Sequence, residues 1–239
     1  MPLPWLDPHI IGFPPVKLAL QEPNGLLAAG GDLSLDWLLC AYRHGIFPWY
    51  EAGQPLLWWS PNPRLIITPD SLKISRSLRK LINKHSYEVS IDSNFAEVIQ
   101  HCAQARRGSD GTWITAEMQA AYIKLHEHGY AHSVEVHAGT DLVGGLYGVA
   151  LGKVFFGESM FSREDNTSKL ALVYLVEQLR QWGFELIDCQ LSSEHLFSLG
   201  AMEISRDEFI DCLKELLQGE DKIGKWQLDS DFVPLSYEY

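Results

Sequence analysis

A chain of 239 residues with 46% apolar and 11% aromatic side chains holds enough material for a folded core, which excludes a disordered or fibrous protein. A formal charge of −12 excludes a uniformly basic nucleic-acid binder, although charge can be unevenly distributed along a chain. The opening Met1-Pro2-Leu3-Pro4-Trp5-Leu6-Asp7-Pro8 has no basic segment or continuous apolar run, and no later apolar run nears the ~18 residues that span a bilayer, so neither secretion nor membrane insertion is expected.

Residues 1–64, rich in Pro, Gly and Trp, are expected to form a small, loop-rich N-terminal unit. Its one clear helix opens at Ser34, a good N-cap, runs through Leu35, Trp37, Leu38, Cys40 and Ala41, and stops at Gly45. Prolines in Phe47-Pro48-Trp49-Tyr50 and Trp58-Trp59-Ser60-Pro61 hold the backbone extended, and most of these rings are expected to wedge the unit onto the next domain.

The spacing of Ile74, Leu78, Leu81 and Ile82 predicts an amphipathic helix over residues 71–84. On such a helix Lys73, Arg76, Lys80 and Lys84 share a stripe roughly 80° wide on the far side. From Arg64 to Lys84 six cations, Arg79 among them, meet a single acid, Asp70. A face of one sign suits phosphates better than an ordinary solvated face does.

A strand at 87–91 and a helix over 94–105 lead into Arg106-Arg107-Gly108-Ser109-Asp110-Gly111-Thr112-Trp113, a loop whose cations and tryptophan suit a ribose or base. A helix over 115–128 ends at Gly129. Strands at 132–137, 142–150 and 153–157, joined by short turns, then form an antiparallel meander. A helix over 168–182 crosses to a strand at 184–190, and helices follow near 194–199 and 206–218. The acidic tail from Gly219 is expected to be only partly ordered. The four cysteines show no C-x-x-C spacing, and His126, His128, His132 and His137 fit no metal motif, so a reducing cytoplasm, no metal and ordinary surface histidines are expected.

Alternation places Val154, Phe156 and Glu158 on one face at the end of the third meander strand, and Phe184, Leu186, Asp188 and Gln190 on one face of the later strand. A carboxylate there costs desolvation free energy unless something hydrogen-bonds or neutralises it, though a solvated strand end fits the pattern equally well.

Several motifs stand in a fixed order: Glu22-Pro23-Asn24-Gly25-Leu26-Leu27, Gly30-Gly31-Asp32-Leu33-Ser34, Gly45-Ile46-Phe47-Pro48-Trp49, Trp58-Trp59-Ser60-Pro61, Gly111-Thr112-Trp113-Ile114-Thr115, Gly157-Glu158-Ser159-Met160-Phe161-Ser162, Ile187-Asp188-Cys189-Gln190 and Ser198-Leu199-Gly200-Ala201. In combination, over nearly all of the chain to about residue 218, they resemble the leucyl/phenylalanyl-tRNA–protein transferases. The resemblance implies an α+β protein, with a small loop-rich N-terminal domain over 1–64 and a GNAT-like acyltransferase C-terminal domain over 65–239. It also implies the reaction: leucine or phenylalanine, with methionine a further candidate, passes from aminoacyl-tRNA to the α-amino group of proteins beginning with Arg or Lys, which marks them for degradation under the N-end rule. No cofactor is expected, because an ester attacked by an amine becomes an amide in a downhill exchange and the protein's task is positioning.

Residue by residue, the resemblance places Asp188 and Gln190 at the catalytic centre with Glu158 nearby. Gln190 is assigned to orienting the attacking amine, and Asp188 to holding Gln190 and stabilising developing positive charge. Glu158 is assigned to the aminoacyl ammonium or the acceptor's basic side chain. Leu146, Phe155, Met160, Leu172, Leu175 and Ile187 are candidates for an apolar aminoacyl socket, and Trp49 and Trp113 for gripping the 3′-terminal adenosine or closing that socket. Lys73, Arg76, Arg79, Lys80 and Lys84 would meet the phosphates of the tRNA. Against an acetyl-CoA enzyme, Ser162-Arg163-Glu164-Asp165-Asn166-Thr167-Ser168-Lys169 has two acids and no glycine where a pyrophosphate loop would sit.

Overall fold

The computed structural model describes residues 3–106 and 113–232. Strands β1 (Trp5–Leu6), β2 (Leu26–Gly30), β3 (Phe47–Pro48) and β4 (Leu57–Trp59) form a sheet in the order β1-β2-β4-β3. Between β2 and β3 runs helix α1 (Leu35–Arg43), which buries Trp37, Leu38, Ala41 and Tyr42. Gly45 ends it at φ 70°, and a side chain there would collide with Ile210 and Phe209.

The larger sheet comprises β5 (Arg64–Ile67), β6 (Glu88–Ile91), β7 (Ala131–Ala138), β8 (Asp141–Leu151), β9 (Val154–Ser162), β10 (Leu186–Gln190) and β11 (Met202–Ile204), in the order β11-β5-β10-β9-β8-β7-β6. Only β9 and β10 pair in parallel. The helices are α2 (Arg76–Lys84), α3 (Phe95–Arg106), α4 (Ala116–Glu127), α5 (Thr167–Gln181), α6 (Glu194–Ser198) and α7 (Arg206–Leu216). A meander, the crossover helix α5 and a strand parallel to the third meander strand give the expected GNAT-like order, because a parallel return needs a crossover.

Apolar clusters lie on both faces of this sheet. One takes Val98 and Ile99 of α3, Met118 and Tyr122 of α4 and Phe209 of α7, together with Leu27, Trp37 and Trp58 from the N-terminal sheet and its helix. The other packs α5 and α2 against Leu146, Phe155 and Ile187. No helix among the described residues is long and apolar enough to cross a membrane.

Several local expectations need correction. Helix α2 starts at Arg76 rather than residue 71, because the Ser75 hydroxyl caps it by accepting from the Leu78 N–H at 3.2 Å, while Pro69–Ser71 forms a separate 3₁₀ turn. Lys73 therefore lies outside the helix, with its backbone N–H bonded to the Leu199 carbonyl at 2.9 Å. Strand β9 continues to Ser162, and Phe184 precedes β10 and packs in the α5 cluster, opposite Leu186. His132 is buried rather than superficial: its ring stacks on Trp226 with centroids 3.5 Å apart and shares Asp92 with the Trp226 N–H.

The tail also departs from expectation. Through residue 232 it packs on the protein, with Trp226 only 3% exposed and the Asp229 carboxylate accepting from Gln178 at 2.7 Å and Trp182 at 2.9 Å. Acidic composition concealed two aromatic contacts, Trp226 in the core and Phe232 against the Tyr174 ring at 5.2 Å. Replacing Trp226 by Ala is expected to remove about 3–5 kcal/mol of stability, the usual cost of emptying a large aromatic site. Urea denaturation measures it, and a loss below about 1 kcal/mol would show that the tail is not part of the core.

Candidate active site

The site begins where β9 and β10 part. Their pairing ends at Asp188 opposite Phe156, beyond which β9 continues against β8 alone. There the β8–β9 register jumps from Tyr147–Ser159 to Gly148–Gly157, leaving Glu158 as the extra residue of a β-bulge. Gly148 permits the close approach, since a Cβ on it would lie 2.2 Å from the Phe156 carbonyl oxygen. The bulge turns the Glu158 carboxylate into the cluster of α1 and α4, while Met160 packs on the opposite, α5 side.

Three donors from three elements meet that carboxylate. Oε1 accepts from the Tyr42 hydroxyl at 2.7 Å and from Gln190 Nε2 at 2.7 Å, and Oε2 accepts from the Tyr122 hydroxyl at 2.9 Å. The two tyrosine hydroxyls also touch each other. Burial pushes the Glu158 carboxyl up to about 7, against the pull of its three hydrogen bonds and with a further push from Asp188. Burial, then the charge of Glu158, raises both tyrosines well above the usual phenol range, so they remain donors.

Asp188 is wholly buried and bound by Arg64 in a fork: Nε reaches Oδ1 at 2.8 Å and Nη2 reaches Oδ2 at 2.6 Å. Arg64 Nη1 donates to the Gly45 carbonyl at 3.2 Å, and the guanidinium lies over the rings of Phe47 and Phe209 at 4.9 and 4.6 Å. Asp188 Oδ1 also accepts the Gln190 N–H at 2.9 Å, holding Gln190 at φ 65°, a left-handed conformation that glutamine rarely adopts unaided. The result aims the Gln190 side chain at Glu158.

A cavity of about 460 Å³ opens at this junction. All eight sequence-derived socket and rim candidates line it: Trp49, Trp113, Leu146, Phe155, Met160, Leu172, Leu175 and Ile187. Glu158 and Gln190 form its polar edge, whereas Asp188 stays behind Gln190, outside the lining. Cys189 and His195 also line the cavity. Burial pushes the Cys189 thiol above its ordinary range, with Asp188 adding to the rise. Among the described residues no group of His, Cys, Asp or Glu is arranged to hold a metal ion.

Of the four residues of the expected one-sign stripe, three stand on α2 and Lys73 lies before it. Arg76, Lys80 and Lys84 are exposed on α2 and Arg79 is half-buried, but Arg64 is 1% exposed and unavailable to phosphates. Lys80, Lys84 and Arg163 border a second cleft, of about 530 Å³, that Glu164 and Asp165 also line. Of the loop proposed to hold a ribose or base, residues 107–112 lie outside the described residues, and Trp113 stands at the main cavity. Sequence reasoning missed Arg64, Tyr42 and Tyr122 as site residues. The available signals were a charged residue opening the apolar run Leu65-Ile66-Ile67, and tyrosines within the apolar faces of two helices.

A model of the leucyl/phenylalanyl-tRNA protein transferase family matches residues 66–214, and a model of that family's N-terminal domain matches residues 31–62. A leucyl/phenylalanyl-tRNA–protein transferase of Pseudomonas fluorescens is 60% identical over 215 residues, covering 90% of this chain and 95% of its own. Transferases of the same name from Cellvibrio japonicus and Nitrosospira multiformis are 59% and 56% identical, covering 87% and 97% of this chain and 88% and 99% of theirs. Among solved structures, FemX aligns with a TM-score of 0.46 at 14% identity, over 80% of this chain and 69% of its own.

The Glu158 geometry predicts a pH signature in stability. Its carboxyl titrates near 7 when folded and near 4.5 when free, so between those values the folded chain keeps a proton that the unfolded chain has released. The contribution is fully present below pH 4.5 and is lost as pH rises to about 7, a change on the order of 3 kcal/mol. Relative to Glu158→Gln, which cannot titrate, the parental protein should lose stability over that window in denaturation series. Parallel curves would refute the assignment.

Proposed function

The chain belongs to the leucyl/phenylalanyl-tRNA–protein transferase family, and we propose that it moves leucine or phenylalanine, with methionine a further candidate, from aminoacyl-tRNA to proteins whose first residue is Arg or Lys. It is an aminoacyltransferase. The acceptor specificity, the resulting N-end-rule degradation signal and a cytoplasmic setting belong to the proposal. The observation that carries it is an apolar cavity with one polar edge, Glu158 and Gln190, at the parting of β9 and β10.

Leu146, Phe155, Met160, Leu172, Leu175 and Ile187 form the socket for an apolar aminoacyl side chain, and Met160 adapts its shape to either Leu or Phe. Trp49 and Trp113, on the rim, take the terminal adenosine. Glu158 binds the aminoacyl ammonium, whose positive charge favours the ionised carboxylate against the cost of burial. Gln190 commits Nε2 to Glu158, which leaves its carbonyl oxygen to accept from the incoming amine and align it with the ester. Both oxygens of Asp188 are occupied by Arg64 and the Gln190 N–H, so it positions Gln190 and does not meet developing charge directly. On α2, Arg76, Arg79, Lys80 and Lys84, with Lys73 before the helix, contact the tRNA backbone.

Labelled Phe-tRNA and a peptide beginning with Arg should yield a labelled peptide, and the same peptide N-acetylated should yield none. Transfer from acetyl-CoA instead would overturn the reading. Converting Arg76, Lys80 and Lys84 together to Ala should weaken tRNA binding and reduce the slope of log K against log salt by about 2–3, at ~0.7–0.9 per lost phosphate contact. An unchanged slope would remove α2 from the tRNA surface.

A further inference from the structure

Among the described residues, four titratable side chains line the cavity: Tyr147, Glu158, Cys189 and His195. The reaction needs one of them, or the substrate itself, to take a proton, because an α-amine that attacks an ester carbonyl becomes a cation that must lose one. The Tyr147 phenol is a donor at neutral pH. The Cys189 thiol is held protonated by burial. The Glu158 carboxylate already accepts three hydrogen bonds and is assigned to the aminoacyl ammonium, which it would hold as a counter-charge rather than serve the acceptor amine.

We propose that His195 is the proton acceptor for the attacking amine. It lies five residues beyond Gln190, in the short helix α6 that follows β10, and lines the same cavity as the Gln190 amide. It is exposed, and its ring has no hydrogen-bond partner among the described residues, so a lone pair is open to substrate. Partial burial, then the charge of Lys169 on α5, lowers its pKa, which favours the neutral imidazole that a base requires.

The proposal rests on the aminoacyl-transfer reading, and its steps balance. The amine lone pair forms the new C–N bond at the ester carbonyl carbon, and the resulting ammonium passes one proton to a ring nitrogen of His195. Collapse of the tetrahedral intermediate breaks the bond to the terminal ribose oxygen, which takes that proton back from the imidazolium. His195 ends neutral, the products are an amide and a free ribose hydroxyl, and no oxidant or cofactor enters.

The test is transfer of labelled Phe from Phe-tRNA to an Arg-peptide at saturating substrates, with folding of each variant checked by thermal melt. His195→Ala should lower kcat by about 100-fold, the usual worth of a positioned base, with KM for both substrates within about threefold. His195→Gln, which keeps a hydrogen-bonding group but no basicity, should be as slow. Added imidazole should restore at least tenfold to His195→Ala, in proportion to its neutral fraction. A rate for His195→Ala within threefold of parental, a parental rate for His195→Gln, or no rescue by imidazole overturns the role while leaving the transfer reading intact. Failure of the parental protein to transfer Phe would overturn both.

Discussion

The site depends on one buried ion pair. Arg64 and Asp188 come from β5 and β10, strands 124 residues apart in the chain, and neither is more than 1% exposed. Two charges removed from water cost several kcal/mol each, and such a pair persists only where its remaining donors and acceptors are met. Here they are met by the Gly45 carbonyl, the Gln190 N–H and the faces of Phe47 and Phe209. The pair therefore gathers the end of α1, β3, β5, β10 and α7 around one point. It also compensates for the left-handed conformation of Gln190, which would otherwise cost on the order of 1–3 kcal/mol.

From that point the chemistry follows by geometry. The β-bulge places one extra residue, Glu158, in a region crowded with apolar side chains, and donors from α1, α4 and β10 answer its charge. Desolvation and hydrogen bonding oppose each other there, and the balance near 7 lets a bound cation decide the protonation state. One donor, Tyr42, belongs to the helix that ends at Gly45, so the N-terminal segment is part of the site's polar network. An ester attacked by an amine makes small energetic demands, and the fold answers chiefly with rigid placement.

Acidic overall charge and a basic helix coexist because the cations are local. Leu78 and Ile82 anchor α2 in the same cluster as α5, which leaves Arg76, Lys80 and Lys84 outward on an otherwise negative protein. The far end of that cluster is closed by Trp226, whose N–H and ring both engage the Asp92–His132 pair. A tail that reads as solvated by composition thus completes the core on the face whose residues also line the cavity.

Residue order alone determined the meander, the crossover helix and strand β10, since helical and strand periodicity and turn residues are local signals, while the family resemblance supplied the six socket candidates and two rim tryptophans that line the cavity. It left undecided which charges face water. Arg64 counted as one more cation near a basic helix and the acidic tail as loosely held, and Tyr42 and Tyr122 carried no assignment, whereas in three dimensions each is fixed by a distant partner. Tyr42 meets Glu158 across 116 residues, and Asp92 meets the Trp226 N–H across 134. Contacts of that range follow no repeat along the chain, because they arise only once the sheet has brought separate strands and helices to one place. The tertiary structure therefore decided that Arg64 commits its charge to Asp188, that Asp188 in turn holds Gln190, and that Gln190 meets Glu158 at the edge of the cavity.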